Sequence, residues 1–210
     1  MNCPSNLRKL KKVTESNIVL AGVGGQGVLL LAEILGESAM KAGYNVRVSE
    51  IHGMAQRGGA VVSDVRIGEK AMAPTVLEGT ADAIVGLEPM EALRNIKFAN
   101  KKTLVFINTT IVKSSGVSRS QSYPSLESML NKIKLFTTNT VTIDATGIAI
   151  RLGNPNVLNI VMLGGLSAIG KLPIKREVLH DTIKESVSAR FVEINMKAFD
   201  AGYEKVSKGS

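Results

Sequence analysis

The chain has 210 residues, a formal net charge of +8, 44% hydrophobic residues and 21% charged residues. These values are ordinary for one globular α/β domain that is large enough to bury a core. Aromatic residues make up only 4% and Trp is absent, so a surface that reads nucleic-acid bases by stacking is poorly supported and we expect no nucleic-acid partner. The longest apolar stretches are interrupted by Gly, Asn or Ser, and none predicts a membrane span.

The N-terminal segment carries a local share of the positive charge. Four basic residues precede the first acidic residue, Glu15, which predicts a basic flexible arm over residues 1–14 and a single domain over residues 15–207. The arm is either solvated or a dock for an acidic partner or an anionic ligand. The single cysteine, Cys3, excludes a disulfide or a four-cysteine metal site within the chain. The first residues lack an apolar signal core, which predicts a cytoplasmic protein.

A glycine-rich turn follows the first apolar run of the chain. The segment 17–28 reads NIVLAGVGGQGV and leads into an apolar, helix-compatible stretch that reaches about residue 42. This order is typical of the first strand, loop and helix of a doubly wound sheet. We expect Gly22 to permit the tight turn, Gly24 to let the backbone approach a ligand, and Gly27 to let the helix pack closely on the strand. The first helix amides would then face an anion.

Three interpretations of this glycine loop stay open from its own residues. It holds a dinucleotide, with Glu50 near the position of the acid that would bind the ribose hydroxyls. Alternatively it holds another anion, or its glycines only tighten the turn. A P-loop is excluded because Val28 stands where the phosphate-binding lysine is required.

A second glycine-rich segment follows the second predicted strand, which spans residues 44–49. Residues 51–59 read IHGMAQRGG and begin at the carboxyl end of that strand, where open α/β sheets bind ligands. The candidate functional residues of this segment are His52, Gln56, Arg57, Gly58 and Gly59. Taken singly, His52 is as compatible with a structural role and Arg57 with a surface charge. Their concentration beside flexible glycines favours a functional loop.

The remaining pattern predicts a mixed sheet. Further strands are predicted at residues 60–68, 81–87, 103–108 and 140–144, and helices at 88–98, 124–133, 156–169, 174–187 and 188–206. The Ser-rich residues 114–122 predict a loop or an edge hairpin. Because no helix separates the second and third strands, we expect an antiparallel excursion. The small residues of 156–169 indicate close helix packing, inside the fold or at a subunit interface. The fold class is therefore α/β, Rossmann-like and three-layered, with a mostly parallel (mixed) sheet and a helical C-terminal third.

Two motifs together resemble those of a known protein family. The segments 22–27 (GVGGQG) and 49–59 (SEIHGMAQRGG) resemble the gamma-type domain of 2-oxoacid:ferredoxin oxidoreductases. The His-Gly-Met-x-Gln-Arg-Gly-Gly form is most similar to the beta subunit of members that act on indolepyruvate, whereas relatives that act on pyruvate tend to carry Tyr-Gly-Pro-Glu-x-Arg-Gly-Gly. The resemblance covers roughly residues 15–205, and the paired motifs are far more specific than either one alone.

The resemblance implies a subunit of a complex that oxidatively decarboxylates indolepyruvate and related aryl 2-oxoacids to acyl-coenzyme A and passes electrons to ferredoxin. It implies that thiamine diphosphate, Mg²⁺ and iron–sulfur clusters belong to a larger alpha subunit, that coenzyme A is a co-substrate, and that the isolated chain is inactive. The loop residues expected near coenzyme A or the partner's cofactor are Gly22, Gly24, Gly25, Gln26 and Gly27. The residues expected at the active-site interface are His52, Gln56, Arg57, Gly58 and Gly59.

No residue of this chain is assigned to covalent catalysis, and no His, Cys, Asp or Glu pattern predicts a metal site. The second motif would position the reactants and stabilise charge, or it would only fill space at the subunit interface. An NAD-binding dehydrogenase remains an alternative, although no second substrate-binding region is visible. A complex for another 2-oxoacid, such as pyruvate or 2-oxoglutarate, is a further alternative because the substrate pocket would lie mostly in the partner.

Overall fold

The computed structural model describes residues 15–52, 58–69, 71–112 and 123–209, and for His52 the backbone alone. The strands are β1 (Ser16–Val23), β2 (Val46–His52), β3 (Ala60–Ile67), β4 (Ala83–Gly86), β5 (Leu104–Asn108) and β6 (Thr140–Ile143). The helices are α1 (Val28–Lys41), α2 (Pro89–Arg94), α3 (Leu126–Lys134), α4 (Ala145–Arg151), α5 (Leu158–Ile169), α6 (Arg176–Ser186) and α7 (Val192–Ser207). The basic arm and the Ser-rich segment lie outside the described residues. Within the described ranges, no helix combines the length and apolar character needed to span a membrane.

The six strands form one mixed sheet in the order β2-β3-β1-β4-β5-β6. The strands β1, β4, β5 and β6 run parallel, whereas β3 is antiparallel to both of its neighbours. The predicted antiparallel excursion and the α/β fold class are confirmed. The physical reason is the short connection from β2 to β3, residues 53–59, since a parallel crossover needs a dozen or more residues.

The second strand is longer than its sequence pattern predicts. Pairing with β3 continues through His52 opposite Val61, so Glu50 and Ile51 belong to the strand and not to the following loop. The predicted strand end near Ser49 is therefore wrong. Alternating polarity gave a weak signal here because β2 is an edge strand with much of its surface exposed.

Each face of the sheet packs against helices. Successive residues of a strand therefore enter two different hydrophobic cores, one on each face. Ile18 and Leu20 of β1 join the larger core with α1 and α4–α7. Val19, between them in sequence, joins the smaller core on the other face with residues of α2 and α3. The described residues thus form the expected three layers, with helices on both sides of a central sheet.

The C-terminal helices α5 and α7 pack against each other through glycines. A Cβ on Gly164 would lie 2.8 Å from the Phe199 carbonyl carbon, and a Cβ on Gly202 would lie 2.8 Å from the Val161 carbonyl carbon. Both distances are well below an ordinary carbon–carbon contact of about 3.5–4.0 Å. The small glycines of α5 therefore serve packing inside the fold, which is one of the two alternatives that the sequence left open.

Candidate functional site

The carboxyl ends of the parallel strands define one edge of the sheet, which we call the carboxyl edge. The strands β1, β4, β5 and β6 all end there. The edge strand β2 also ends there, because it is antiparallel to β3, which is itself antiparallel to β1. The glycine loop after β1 and the second motif after β2 are therefore on the same side of the sheet, where open α/β sheets bind ligands.

The two sequence motifs are directly hydrogen-bonded to each other. The Gly24 amide donates to the Gly59 carbonyl oxygen at 2.8 Å, and the Gly58 amide donates to the Gly24 carbonyl oxygen at 3.3 Å. These bonds extend the β1–β3 ladder, in which Val23 pairs with Ala60. The fold thus joins segments that lie more than thirty residues apart along the chain. The glycine pair that ends the second motif forms one wall of the glycine loop.

The individual glycines do not have the roles that their spacing predicted. Gly22 is in β1, and a Cβ there would lie 2.8 Å from Val28 Cγ2 and 2.9 Å from Gln26 Oε1, so Gly22 is needed for close packing. Gly27 makes the turn into α1 with φ of 79°, and a Cβ there would lie 2.5 Å from Asn159 Nδ2. The expected roles of Gly22 and Gly27 are therefore exchanged. The predicted approach of Gly24 to a ligand stays a prediction.

Gln26 faces the interior of the protein. Its Oε1 accepts from the Val23 amide at 2.7 Å, and its Nε2 donates to the Leu87 carbonyl oxygen at 3.2 Å. The side chain is buried and ties the loop to the residue that follows β4. This arrangement makes Gln26 a structural residue of the loop, since both polar atoms of its side chain are bonded inside the protein.

Among the described residues, no side chain accepts a hydrogen bond from the amides of the first turn of α1. Gly27 is its N-cap residue and supplies no side-chain hydrogen bond, and no acidic residue lies in the first turn. The helices α2, α3 and α4 are capped by the side chains of Glu88, Ser125 and Asp144. The helices α5, α6 and α7 share with α1 the lack of a side-chain cap. Since helix N-termini carry partial positive charge, the start of α1 is suited to a negatively charged group.

Three predicted residues of the second motif have no described side chain. Gln56 and Arg57 lie outside the described residues, and the side chain of His52 is not described. The backbone of His52 forms the end of β2, next to the start of β3. The roles of these three residues therefore stay predictions, while Gly58 and Gly59 are found beside the glycine loop.

Glu50 is poorly placed to bind a ribose next to the glycine loop. It is an exposed residue of β2, and β3 lies between β2 and β1. Two strand spacings separate Glu50 from β1 by about 10 Å. In dinucleotide-binding folds the strand that carries the ribose acid adjoins the first strand. The topology therefore disfavours the dinucleotide interpretation of the loop.

A buried polar group that the sequence motifs do not include lies at the carboxyl edge. Glu88 is fully buried after β4, where its Oε2 accepts from the Glu91 amide at 2.9 Å and its Oε1 accepts from the Tyr123 hydroxyl at 3.0 Å. Burial and then the hydrogen bond to Glu88 raise the pKa of Tyr123, so Tyr123 stays a neutral donor. A Glu directly after an apolar strand was the available signal.

Asn108 is a second buried polar residue outside the sequence motifs. It ends β5 and is fully buried, and its side chain contacts both the residue after β4 and the start of α4. A polar residue at the end of an otherwise apolar strand again marks the carboxyl edge. Among the described residues, no group of three or more His, Cys, Asp and Glu side chains could hold a metal ion.

Known proteins that are similar to this chain belong to the family that the two motifs resemble. Residues 17–205 match the profile of the family described as pyruvate ferredoxin/flavodoxin oxidoreductase. The chain is 40% identical to the indolepyruvate oxidoreductase subunit IorB of Archaeoglobus fulgidus, over 92% of this chain and 96% of that protein. It is 43% identical to the subunit of the same name from Pyrococcus horikoshii, over 90% and 94%.

A solved structure supports the same assignment. The gamma subunit of a keto/oxoacid ferredoxin oxidoreductase from Geobacter sulfurreducens superposes with a TM-score of 0.66 and 26% identity, over 91% of this chain and 98% of that chain. The mixed sheet, the paired motifs and these relatives together lead to one conclusion. The chain belongs to the pyruvate ferredoxin/flavodoxin oxidoreductase family and is a subunit of a 2-oxoacid:ferredoxin oxidoreductase.

Proposed function

We propose that this chain is the small subunit of a complex that oxidatively decarboxylates indolepyruvate and related aryl 2-oxoacids to acyl-coenzyme A and passes the electrons to ferredoxin. The relatives named as indolepyruvate oxidoreductase subunits support the choice of substrate. The chain contains one cysteine, so it cannot by itself supply the four thiolates of an iron–sulfur cluster. Thiamine diphosphate, Mg²⁺ and the clusters are assigned to a larger partner subunit in the cytoplasm, where thiamine diphosphate supplies carbanion stabilisation.

The contribution of this chain is the glycine loop at the carboxyl edge. The observation that carries the proposal is the pairing of Gly24 with Gly58 and Gly59, which brings both motifs to one place. Beside them the first turn of α1 has no capping side chain and no acid, so its amides fit a phosphate of coenzyme A or of the partner's cofactor. The loop residues in this role are Gly22, Gly24, Gly25, Gln26 and Gly27.

The second motif completes the proposed interface with the partner. His52, Gln56 and Arg57 line the edge of the active-site cavity, where Arg57 stabilises negative charge and His52 and Gln56 position the reactants. Their position within seven residues before Gly58 and Gly59 supports this role, because the glycine pair lies against the loop. The chemistry is positioning and electrostatic, since the covalent steps belong to the partner's cofactor.

The test is Arg57→Ala in the complex reconstituted with the larger subunit. The matched control is Arg47→Ala, because Arg47 is an exposed arginine on β2 whose hydrogen bond goes to its neighbour's carbonyl oxygen. We expect the KM for coenzyme A to rise at least tenfold with Arg57→Ala and to stay within twofold with Arg47→Ala. Each variant is assayed with indolepyruvate, pyruvate and 2-oxoglutarate.

Two outcomes would contradict the proposal. Normal turnover with an unchanged KM for coenzyme A in Arg57→Ala would remove Arg57 and the second motif from the site. A kcat/KM for pyruvate or 2-oxoglutarate equal to or above that for indolepyruvate would refute the aryl 2-oxoacid as the substrate.

A further inference from the structure

We propose that Asn108 is a positioning residue for the glycine loop. It acts through the carbonyl oxygen of Leu87, which is also held by Gln26. The inference rests on the proposed anion-binding role of the loop and adds a residue that touches neither the loop nor a ligand. The side-chain amides of Gln26 and Asn108 link the loop after β1 to the start of α4 through the Leu87 carbonyl oxygen.

The Leu87 carbonyl oxygen is the point at which the two amides meet. Its own amide donates to the Ala21 carbonyl oxygen at 2.8 Å, which continues the β1–β4 ladder by one residue. Its carbonyl oxygen accepts from Gln26 Nε2 at 3.2 Å and from Asn108 Nδ2 at 3.0 Å. Because a carbonyl oxygen has two lone pairs, both acceptor sites are filled. One side chain from the loop after β1 and one from the end of β5 are thus bonded to the residue that follows β4, the strand between them.

Asn108 uses the full hydrogen-bonding capacity of its amide. Besides Leu87, its Nδ2 donates to Thr146 Oγ1 at 2.9 Å. Its Oδ1 accepts from the amides of Ala145 and Thr146 at 3.1 and 3.3 Å, so it also caps α4. A fully buried side chain with two donors and two acceptors in use has one orientation and cannot be replaced without leaving buried groups unpaired.

The connection from Asn108 to the loop passes through Gln26. Gln26 Oε1 accepts from the Val23 amide at 2.7 Å, so the orientation of this side chain sets the backbone where β1 turns into the loop. Without Asn108 the Leu87 carbonyl oxygen keeps only the donor from Gln26, so the acceptor that holds the Gln26 side chain is less firmly positioned. Because binding groups must be held to about 0.5 Å, a looser loop costs affinity for the anion before it costs chemistry.

The experiment compares Asn108→Ala with Asn17→Ala in the assembled complex. Asn17 is a matched control, since it is a buried asparagine at the opposite end of β1 and bonds Thr80 and Arg66 through its side chain. Both substitutions should lower Tm. We expect only Asn108→Ala to speed hydrogen exchange over residues 22–30 about tenfold and to raise the KM for coenzyme A about tenfold, with kcat within twofold.

A second variant covers the case in which Asn108→Ala fails to assemble. Thr146→Val keeps the shape of the side chain and removes the Oγ1 that accepts from Asn108, so it should give the same changes at smaller size. Unchanged exchange over residues 22–30 in both variants would overturn the inference. Faster exchange with an unchanged KM for coenzyme A would support the link from Asn108 to the loop and would refute the proposed function of the loop.

Discussion

Replacing Gly202 of α7 by alanine should lower the free energy of unfolding by about 2 kcal/mol. A Cβ at this position would overlap the Val161 carbonyl oxygen and would lie 2.8 Å from the carbonyl carbon. Carbon atoms in ordinary contact are about 3.5–4.0 Å apart, so α5 and α7 must separate by about 1 Å. The obstructing atoms belong to helix backbone, which cannot rotate away as a side chain would.

The magnitude follows from two opposing effects. Alanine is favoured over glycine inside a helix by about 1 kcal/mol, which by itself would stabilise the variant. Overpacking a well-packed contact costs about 1–3 kcal/mol, and the upper value applies here because the contact is backbone on backbone. The difference is about 2 kcal/mol, which corresponds to a decrease in Tm of roughly 4–8 °C for a domain of this size.

The assay is urea unfolding of the purified chain followed by far-ultraviolet circular dichroism, since the chain has no Trp for fluorescence. The matched control is Gly36→Ala, because its Cβ would meet only Val48 Cγ2, at 3.0 Å, on the edge strand β2. That side chain can move, so we expect the control to remain within about 0.5 kcal/mol of wild type or to be more stable. A Gly202→Ala chain as stable as wild type would refute the backbone-contact argument.

Two further predictions concern the helices at the carboxyl edge. Burial raises the pKa of Glu91 more than the facing Arg94 lowers it, and nearby Glu88 raises it further. Its neutral form therefore stabilises the fold at pH below 4.5. This contribution is lost as the pH rises through the raised pKa of Glu91 in the folded protein. We expect Glu91→Gln to match wild type in thermal melts at pH 4 and to be more stable at pH 8; equal stability at pH 8 would contradict this. Asp144→Ala should cost about 1 kcal/mol because the Gly147 amide loses its cap, and an unchanged urea midpoint would exclude that role.

Much of the fold could be predicted because its signals are local. Apolar runs marked the strands, and the short connection from β2 to β3 required an antiparallel pair. The strand end at Ser49 was wrong because an exposed edge strand has no clear alternation between buried and exposed residues. The pairing of the two glycine motifs supports their joint interpretation, although neither motif indicates it alone.

The sequence by itself determined most of the elements, the mixed sheet and the two motifs that point to the family. Only the tertiary structure decided what each residue of the loop contacts. Gly22 packs against Val28, Gly27 makes the turn against Asn159, and Gln26 faces inward. These roles depend on atoms that are distant in sequence, such as the Leu87 carbonyl oxygen. A spacing of glycines fixes where the backbone can turn, but the neighbours that fill the space beside each glycine are set by how the strands and helices pack.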